Sequence, residues 1–463
     1  MQDTGRKRII LLVSSLASFL VPYTVSSLTV ALPAISNSFG IDAVTLGWVT
    51  SAYLLTAAIC IVPFGKLADL YGRKRFFIAG NILFAAGSFL AAISWAGWVI
   101  ILARIVQALG GAMVFATSVA IVTEVFPPGE RGKAIGIATA TVYSGLSLGP
   151  FIGGVLTHNI GWPSIFLVNI PLAILVILLT VLYIPEEWMA GGKKVFDLPG
   201  SVLYGLMLFG IIYGLTLLPS LSGILWMIFG FIMLAGFIWR ERRAPVPIIE
   251  LSLFRKKPTF LYSNIAALIN YAIVFAVGFL LSLYLQYNRG LDAQTAGLIL
   301  IAQPVVQTIV SPAAGHLSDR IEPRILATLG MACTTLGLGI LIFLSDTTPI
   351  LVIVVGLVIL GFGYGLFSSP NTNAIMSSVD AEYLGIASGM VSTMRSIGQM
   401  LSLAIAMLVF SAIIGSVQIT PDVFPQLQSA VTIAFTIFTI LGLVGIWTSY
   451  ARGTLRAGAK EKS

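Results

Sequence analysis

The sequence predicts an all-α integral membrane protein: two six-helix bundles related by pseudo-two-fold symmetry, with a two-helix hairpin inserted between them, fourteen transmembrane helices in all. Three observations predict it. Of 463 residues, 57% are apolar and only 10% charged, with a mean hydropathy of +0.99, whereas a soluble chain carries about 25% charge. Fourteen apolar runs each approach the roughly 20 residues that a helix needs to cross the hydrocarbon. A repeat at a fixed offset of 250 residues relates the two halves.

Bounded by charge, proline or glycine, the runs lie at 9–32, 46–67, 76–95, 98–122, 133–156, 163–183, 199–218, 223–239, 259–285, 295–317, 325–344, 349–375, 384–414 and 428–450. The first follows Arg6-Lys7-Arg8 like a signal peptide, but it is too long and no small-residue cleavage site follows, so it is expected as a retained span. The chain divides into a cytoplasmic tail (1–8), a first bundle (9–185), a linker with the hairpin (186–240), a cytoplasmic loop (241–258), a second bundle (259–450) and a second tail (451–463).

The net charge of +8 would suggest nucleic acid in a soluble protein. Here it is topological. With the amino terminus inside, only Arg289 of the 26 Lys and Arg falls in an outer loop, and only Arg104 and Arg395 fall within spans away from their inner ends. Positive residues concentrate on the cytoplasmic side of membrane proteins, so both termini are expected inside and no nucleic-acid partner is implied. Cys60 and Cys333 sit in apolar runs without a histidine or second cysteine nearby, which excludes a disulfide framework, a zinc site and redox chemistry. No cofactor or metal is expected.

The repeat pairs Gly40-Ile41-Asp42-Ala43-Val44-Thr45-Leu46-Gly47 with Gly290-Leu291-Asp292-Ala293-Gln294-Thr295-Ala296-Gly297, identical at five of eight positions, and Gly65 to Asp69 with Gly315 to Asp319. Six spans occupy about 180 to 200 residues, so an offset of 250 requires two more, the hairpin. Transporters place a substrate path at the interface of two such halves, which rock to alternate access. A membrane-embedded enzyme would need clustered nucleophiles, metal ligands or paired carboxylates within the spans, and a sensor a longer soluble tail; neither pattern is present.

Four motifs carry mechanism. After the second span the chain reads Gly65-Lys66-Leu67-Ala68-Asp69-Leu70-Tyr71-Gly72-Arg73-Lys74-Arg75. Its glycines allow a tight turn, Asp69 can face positive helix amino ends, and its cations hold the loop at the anionic leaflet. The fourth span carries Arg104, Gln107, Gly110 and Gly111; an intramembrane arginine costs about 2.5–3.5 kcal/mol on insertion scales and must face protein or water. The fifth carries Gly145-Leu146-Ser147-Leu148-Gly149-Pro150-Phe151-Ile152-Gly153-Gly154, where glycines four apart share a face for a close neighbour and Pro150 bends the helix. The loop after the hairpin reads Pro247-Ile248-Ile249-Glu250-Leu251-Ser252-Leu253-Phe254-Arg255.

Together with the Trp48 to Tyr53 stretch and Trp162, Phe166, Asn169 and Pro171, these motifs make the chain resemble the major facilitator superfamily, in its fourteen-span drug:H⁺ antiporter branch, over nearly its whole length. The resemblance implies a major facilitator fold and a cytoplasmic gate of Gly65, Asp69, Gly72, Arg73 and Lys74, with Arg73 pairing with Glu124, and Asp319 as the counterpart in the second half. It associates Arg104 with proton coupling, with Glu124 and Asp69 as further candidates; bonding of Arg104 to backbone carbonyls of the first span is the structural alternative. Gly145, Gly149, Pro150, Gly153 and Gly154 match its antiporter motif, which implies export. Two departures stand out: Thr24 takes the place of a first-span aspartate, and Pro163 replaces an arginine between Trp162 and Phe166.

No acid lies near the expected midplane, whereas Arg104 and Arg395 are within spans. A cavity lined by both would favour neutral or anionic amphipaths; with both bonded elsewhere it would be an apolar pocket of broad tolerance. Inward polar and aromatic candidates for the substrate path are Tyr23, Thr24, Tyr53, Gln107 and Tyr143 in the first half, and Asn270, Tyr271, Gln303, Asn371, Asn373 and Arg395 in the second. The expected function is proton-coupled export of amphipathic or lipophilic small molecules across the plasma (inner) membrane by a functional monomer, with export of one neutral or anionic metabolite or lipid-like molecule as the alternative.

Overall fold

A computed structural model of the chain describes residues 2–126, 128–184, 187–189, 196–244, 253–254, 257–318, 320–379, 384–415 and 417–453, which form helices and their connections with no strand among them. The first bundle contains α1 (Gln2–Phe39), α2 (Ala43–Tyr71), α3 (Arg73–Ala92), α4 (Gly97–Val125), α5 (Pro128–Asn159) and a sixth span made of α6 (Ser164–Leu167) and α7 (Asn169–Tyr183). The hairpin is α8 (Leu198–Thr216) and α9 (Leu221–Glu241). The remaining spans are α10 (Pro258–Leu283, extended by a π turn to Asn288), α11 (Ala293–Leu300) with α12 (Ala302–Ser318), α13 (Pro323–Leu341), α14 (Ile350–Ser377), α15 (Leu384–Ile413) and α16 (Phe424–Ala451).

Thirteen helical segments among the described residues are long and apolar enough to cross a membrane. With the 32-residue α5 they make the fourteen that the hydropathy pattern predicts. The helices outrun the apolar windows: α1 was expected over 9–32 but starts at Gln2 and ends at Phe39. Apolarity marks only the part that would lie in hydrocarbon, while backbone hydrogen bonding continues into the polar flanks. The break at Ile301 precedes Pro304, whose missing N–H and ring disrupt the turn before it.

Two compact units emerge, Met1–Leu208 with Asp292–Leu298, and Phe209–Leu291 with Ile299–Ser463. In the first, Ile10, Val13, Ala17, Phe77, Val114, Ile121, Val176 and Ile184 form an apolar cluster from α1, α3, α4 and the end of the sixth span, with Trp188 packed against it. This cluster packs the start of α3 and the end of α4 against α1 and the sixth span.

The repeat has a physical basis. Gly40 and Gly290 both adopt φ of 63°, a left-handed conformation in which a side chain is disfavoured. Asp42 and Asp292 then cap the helix that follows: Val44 N–H and Thr45 N–H donate to Asp42 Oδ1 at 2.9 and 3.0 Å, and Thr295 N–H donates to Asp292 Oδ1 at 2.8 Å. Such caps satisfy amide donors that have no partner inside the helix.

Candidate functional site

The α2–α3 loop turns at Gly72, whose φ of 116° few other residues tolerate. This sharp turn brings Asp69, on the last turn of α2, beside Arg73, the first residue of α3. Arg73 Nε donates to Asp69 Oδ1 at 2.7 Å, and its Nη1 donates to Glu124 Oε1 at 2.6 Å, on the last turn of α4. The arginine side chain is 17% exposed, the two carboxylates 40% and 45%. One half-buried cation thus grips two acids from two helices. Lys74 contributes its backbone rather than its charge, and a Cβ on Gly65 would meet only Ala116 Cβ at 3.9 Å, so nothing steric demands glycine there. Asp319 lies outside the described residues, as does most of the segment 247–255.

A third acid reaches this loop from the linker. Glu187 Oε1 accepts the Lys74 N–H at 2.8 Å, its Oε2 lies 3.6 Å from Arg75 Nε, and Trp188 O accepts the Arg73 N–H at 3.0 Å. The carboxylate therefore sits on the amino end of α3, where unpaired N–H groups and the helix dipole favour an anion. It leaves Gly72 no room for a side chain: a Cβ there would lie 2.6 Å from the Glu187 carboxylate. Sequence reasoning missed this contact. The acidic Pro185-Glu186-Glu187 run was its only visible signal.

Arg104 is fully buried. Its Nε donates to Val49 O on α2 at 3.2 Å and its Nη1 to Gln107 Oε1, while Gln107 Nε2 donates to Ser88 Oγ on α3 at 2.7 Å. The guanidinium stacks 4.3 Å from the Tyr53 ring and 5.9 Å from that of Phe166. It thus ties α2, α3, α4 and α6 together, with a carbonyl of the second span where the first was expected, because α2, whose Tyr53 ring stacks on the guanidinium, is the helix packed beside it. Gly111 makes room for Tyr53, since a Cβ there would overlap its hydroxyl, and Gly110 faces α3.

Gly145, Gly149 and Gly153 form one face of α5, packed on α1. Cβ atoms would lie 2.6 Å from Phe19 O at Gly145 and 2.6 Å from Ser27 O at Gly153, and would overlap Ser26 Oγ at Gly149. Ser26 Oγ donates to Gly145 O at 3.1 Å, tying the α1 side chain to the α5 backbone. Gly154 leaves this face and approaches Ala293 O at the start of α11, and Pro150 O meets Gly297 there.

Seven of the eleven path candidates are buried: Tyr23, Thr24, Tyr53, Gln107, Asn270, Tyr271 and Asn371. Asn270 Nδ2 donates to Met331 Sδ at 3.4 Å and Asn371 Nδ2 to Ser263 O at 3.2 Å. Tyr143, Gln303, Asn373 and Arg395 are half-buried. Asn373 lies a turn from the end of α14 and donates to Ser318 Oγ at 2.9 Å, beside a loop rather than at mid-helix. Arg395, near the middle of α15, donates from Nε to Tyr271 Oη at 3.3 Å, and Tyr271 meets Tyr364 edge-on at 5.9 Å. Among the described residues every helical acid lies within a turn of a helix end.

Helical segments of membrane-spanning length, a glycine-packed helix pair and an ion-pair grip at helix ends define a class: a multi-pass membrane transporter rather than an enzyme. The model of the Major Facilitator Superfamily matches residues 14–403, and the chain belongs to that family. It is 34% identical to a riboflavin transporter, RibZ, of Clostridioides difficile (strain 630), over 85% of this chain and 86% of that one. It is 35% identical to the multidrug resistance protein Stp of Mycobacterium tuberculosis (strain CDC 1551 / Oshkosh), over 85% and 74%, and 30% identical to the drug efflux pump JefA of the same strain, over 89% and 82%. The fold matches a bacterial homologue of the human lysosomal transporter Spinster, at 17% identity and a TM-score of 0.70 over 97% of both chains.

Proposed function

We propose that this chain is a secondary active transporter that exports amphipathic or lipophilic small molecules in exchange for protons, by alternating access. The observation that carries the reading is the grip of Arg73 on Asp69 and Glu124. Ion pairs this exposed are worth about 0.2–1 kcal/mol each, strong enough to bias a gate and weak enough to break in every cycle. Export is supported by the Gly145 to Gly154 string and by relatives named for multidrug resistance and drug efflux.

With no described acid away from a helix end, we assign the coupling proton to Glu124, with Asp69 as its competitor for Arg73. A proton on Glu124 releases one arm of the grip, which links protonation to gate opening. Arg104, bonded on two sides and stacked on Tyr53, acts on this reading as a clasp that holds the helices around the gate rather than as the carrier. Of the path candidates, half-buried Tyr143, Gln303 and Arg395 are the ones we assign to cargo contact; the buried ones shape the wall. The protein works as a monomer in the plasma membrane with both termini cytoplasmic.

Arg395 beside Tyr271 and Tyr364 favours a second reading, export of one neutral or anionic aromatic metabolite; a relative named as a riboflavin transporter supports it. Proteoliposomes loaded with matched anionic and dicationic dyes, under a pH gradient with and without an uncoupler, test both. Export is expected to collapse with the uncoupler, and preference for the dication would overturn the second reading.

A further inference from the structure

In the second unit, the end of α16 and the start of α13 hold two arginines that the transport reading does not use. Arg452, just past α16, is 2% exposed. Its Nε donates to Ser449 O at 2.8 Å and its Nη2 to Ser449 Oγ at 2.7 Å, while its Nη1 has no partner. Thr259 Oγ1 donates to Arg452 O at 2.9 Å and fixes this end of α16 against α10. Close by, the guanidinium of Arg324 lies 3.8 Å from the centre of the Tyr450 ring. Among the described residues neither arginine has a carboxylate within 4.0 Å. Burial, and then the charge of Arg324, push the Arg452 pKa down to about 9, so it remains a cation at neutral pH in the company of another.

A buried cation without an anion is costly, and removing the anion from such a site costs more than the pair was worth. Arg452 is such a cation, with half-buried Arg324 beside it, so the pair calls for a counter-ion that the described residues do not supply. The surroundings say what kind. Tyr450 is 61% exposed and Trp447, a turn earlier, 62% exposed with its ring edge-on to Tyr262 at 6.3 Å. Exposed Trp and Tyr at the end of a spanning helix sit at headgroup depth, where basic residues between helices take phosphate groups.

We propose that Arg324 and Arg452, framed by Tyr450 and Trp447, form a binding site for the headgroup phosphate of an anionic phospholipid. The site rests on the topology proposed above only in the choice of leaflet, the cytoplasmic one. Arginine suits this role because its fork of N–H donors matches phosphate oxygens two at a time and because it stacks on aromatic rings while doing so.

Native mass spectrometry of the full-length protein, released from detergent and titrated with phosphatidylglycerol, phosphatidylcholine or inorganic phosphate, tests the site without measuring transport. Failure here leaves the transport reading standing, and failure of export leaves this one standing. Phosphatidylglycerol is expected to bind in a discrete first step about tenfold tighter than phosphatidylcholine, and Arg324→Gln to weaken that step about tenfold. Arg452→Gln should do the same; if it does not fold, Arg324→Gln, on a half-buried side chain at a helix start, carries the test alone. Arg243 provides the control. It also stacks on an exposed aromatic, 4.5 Å from the Trp239 ring, with no buried arginine bonded behind it. Arg243→Gln should leave the first step unchanged. Equal binding of the two lipids, an equal effect of Arg243→Gln, or displacement of phosphatidylglycerol by an equal concentration of inorganic phosphate would each overturn the proposal.

Discussion

Replacing Glu187 with alanine removes the acceptor of the Lys74 N–H, at 2.8 Å, and the partner of Arg75 Nε, at 3.6 Å. A side-chain acceptor on a helix amino end contributes about 0.5–2 kcal/mol. The Glu187 side chain is 22% exposed, so little of that is lost to solvent, whereas the Arg75 side chain is 77% exposed and its pair adds almost nothing. The expected loss is about 1 kcal/mol, confined to the first turn of α3, or about a fivefold rise in its local opening. Hydrogen exchange of peptides covering residues 72–78, measured in detergent, reads this directly. Glu187→Gln keeps an acceptor oxygen but no charge and should fall between wild type and alanine. Unchanged exchange in Glu187→Ala, or a glutamine variant as damaged as alanine, would refute the argument that this carboxylate caps α3.

Four further outcomes follow from the same geometry. Asp69→Asn and Glu124→Gln should each shift accessibility of a cysteine probe behind the gate two- to fivefold, and the double variant by more than the product, because Arg73 at 17% exposure is then left without any acid; strict additivity in the double-mutant cycle would contradict a shared grip. Gly149→Ala forces a methyl into Ser26 and should lower thermal stability by about 1–3 kcal/mol, while Gly389→Ala, with nothing within 4 Å, should not. Arg104→Lys cannot hold both Val49 O and Gln107 Oε1 and should cost about 2–3 kcal/mol in melting experiments. The Thr295 N–H holds the Asp292 carboxyl below its ordinary value of 3.8. A depressed folded pKa means stability present above that value and lost as pH falls through the lower one, so Asp292→Asn should differ from wild type at pH 5 and above, and the difference should shrink as pH falls below 3.8.

The fourteen spans were legible because hydrocarbon thickness imposes a length that apolar runs must meet, and the Asp69–Arg73 pair because the two residues are four apart around a glycine. The face formed by Gly145, Gly149 and Gly153 was legible for the same reason, that period four defines one side of a helix. What this face packs on was not, since nothing in α5 names Ser26 and Ser27 of α1. The Glu187 cap was equally hidden: its partner is a backbone N–H 113 residues away, which leaves no side-chain signature. Arg104 could be assigned to protein or water from the cost of burying it, but its acceptor on α2 depends on which helix packs beside it, which a periodic pattern does not encode. Asn373 entered the path list because polar residues in spans are rare, yet its bond to Ser318 belongs to the loop-proximal end of α14. Depth along a long helix is the quantity that the pattern leaves least determined.

The central claim, that Glu124 carries the coupling proton for export, is tested most directly in proteoliposomes under an imposed pH gradient. Concentrative efflux of a fluorescent amphipathic dye would be followed in wild type and Glu124→Gln, beside gradient-free exchange of the same dye. The account predicts that wild type concentrates the dye until an uncoupler is added, and that Glu124→Gln exchanges it but no longer concentrates it. Concentrative efflux by Glu124→Gln with the same gradient dependence as wild type would contradict it.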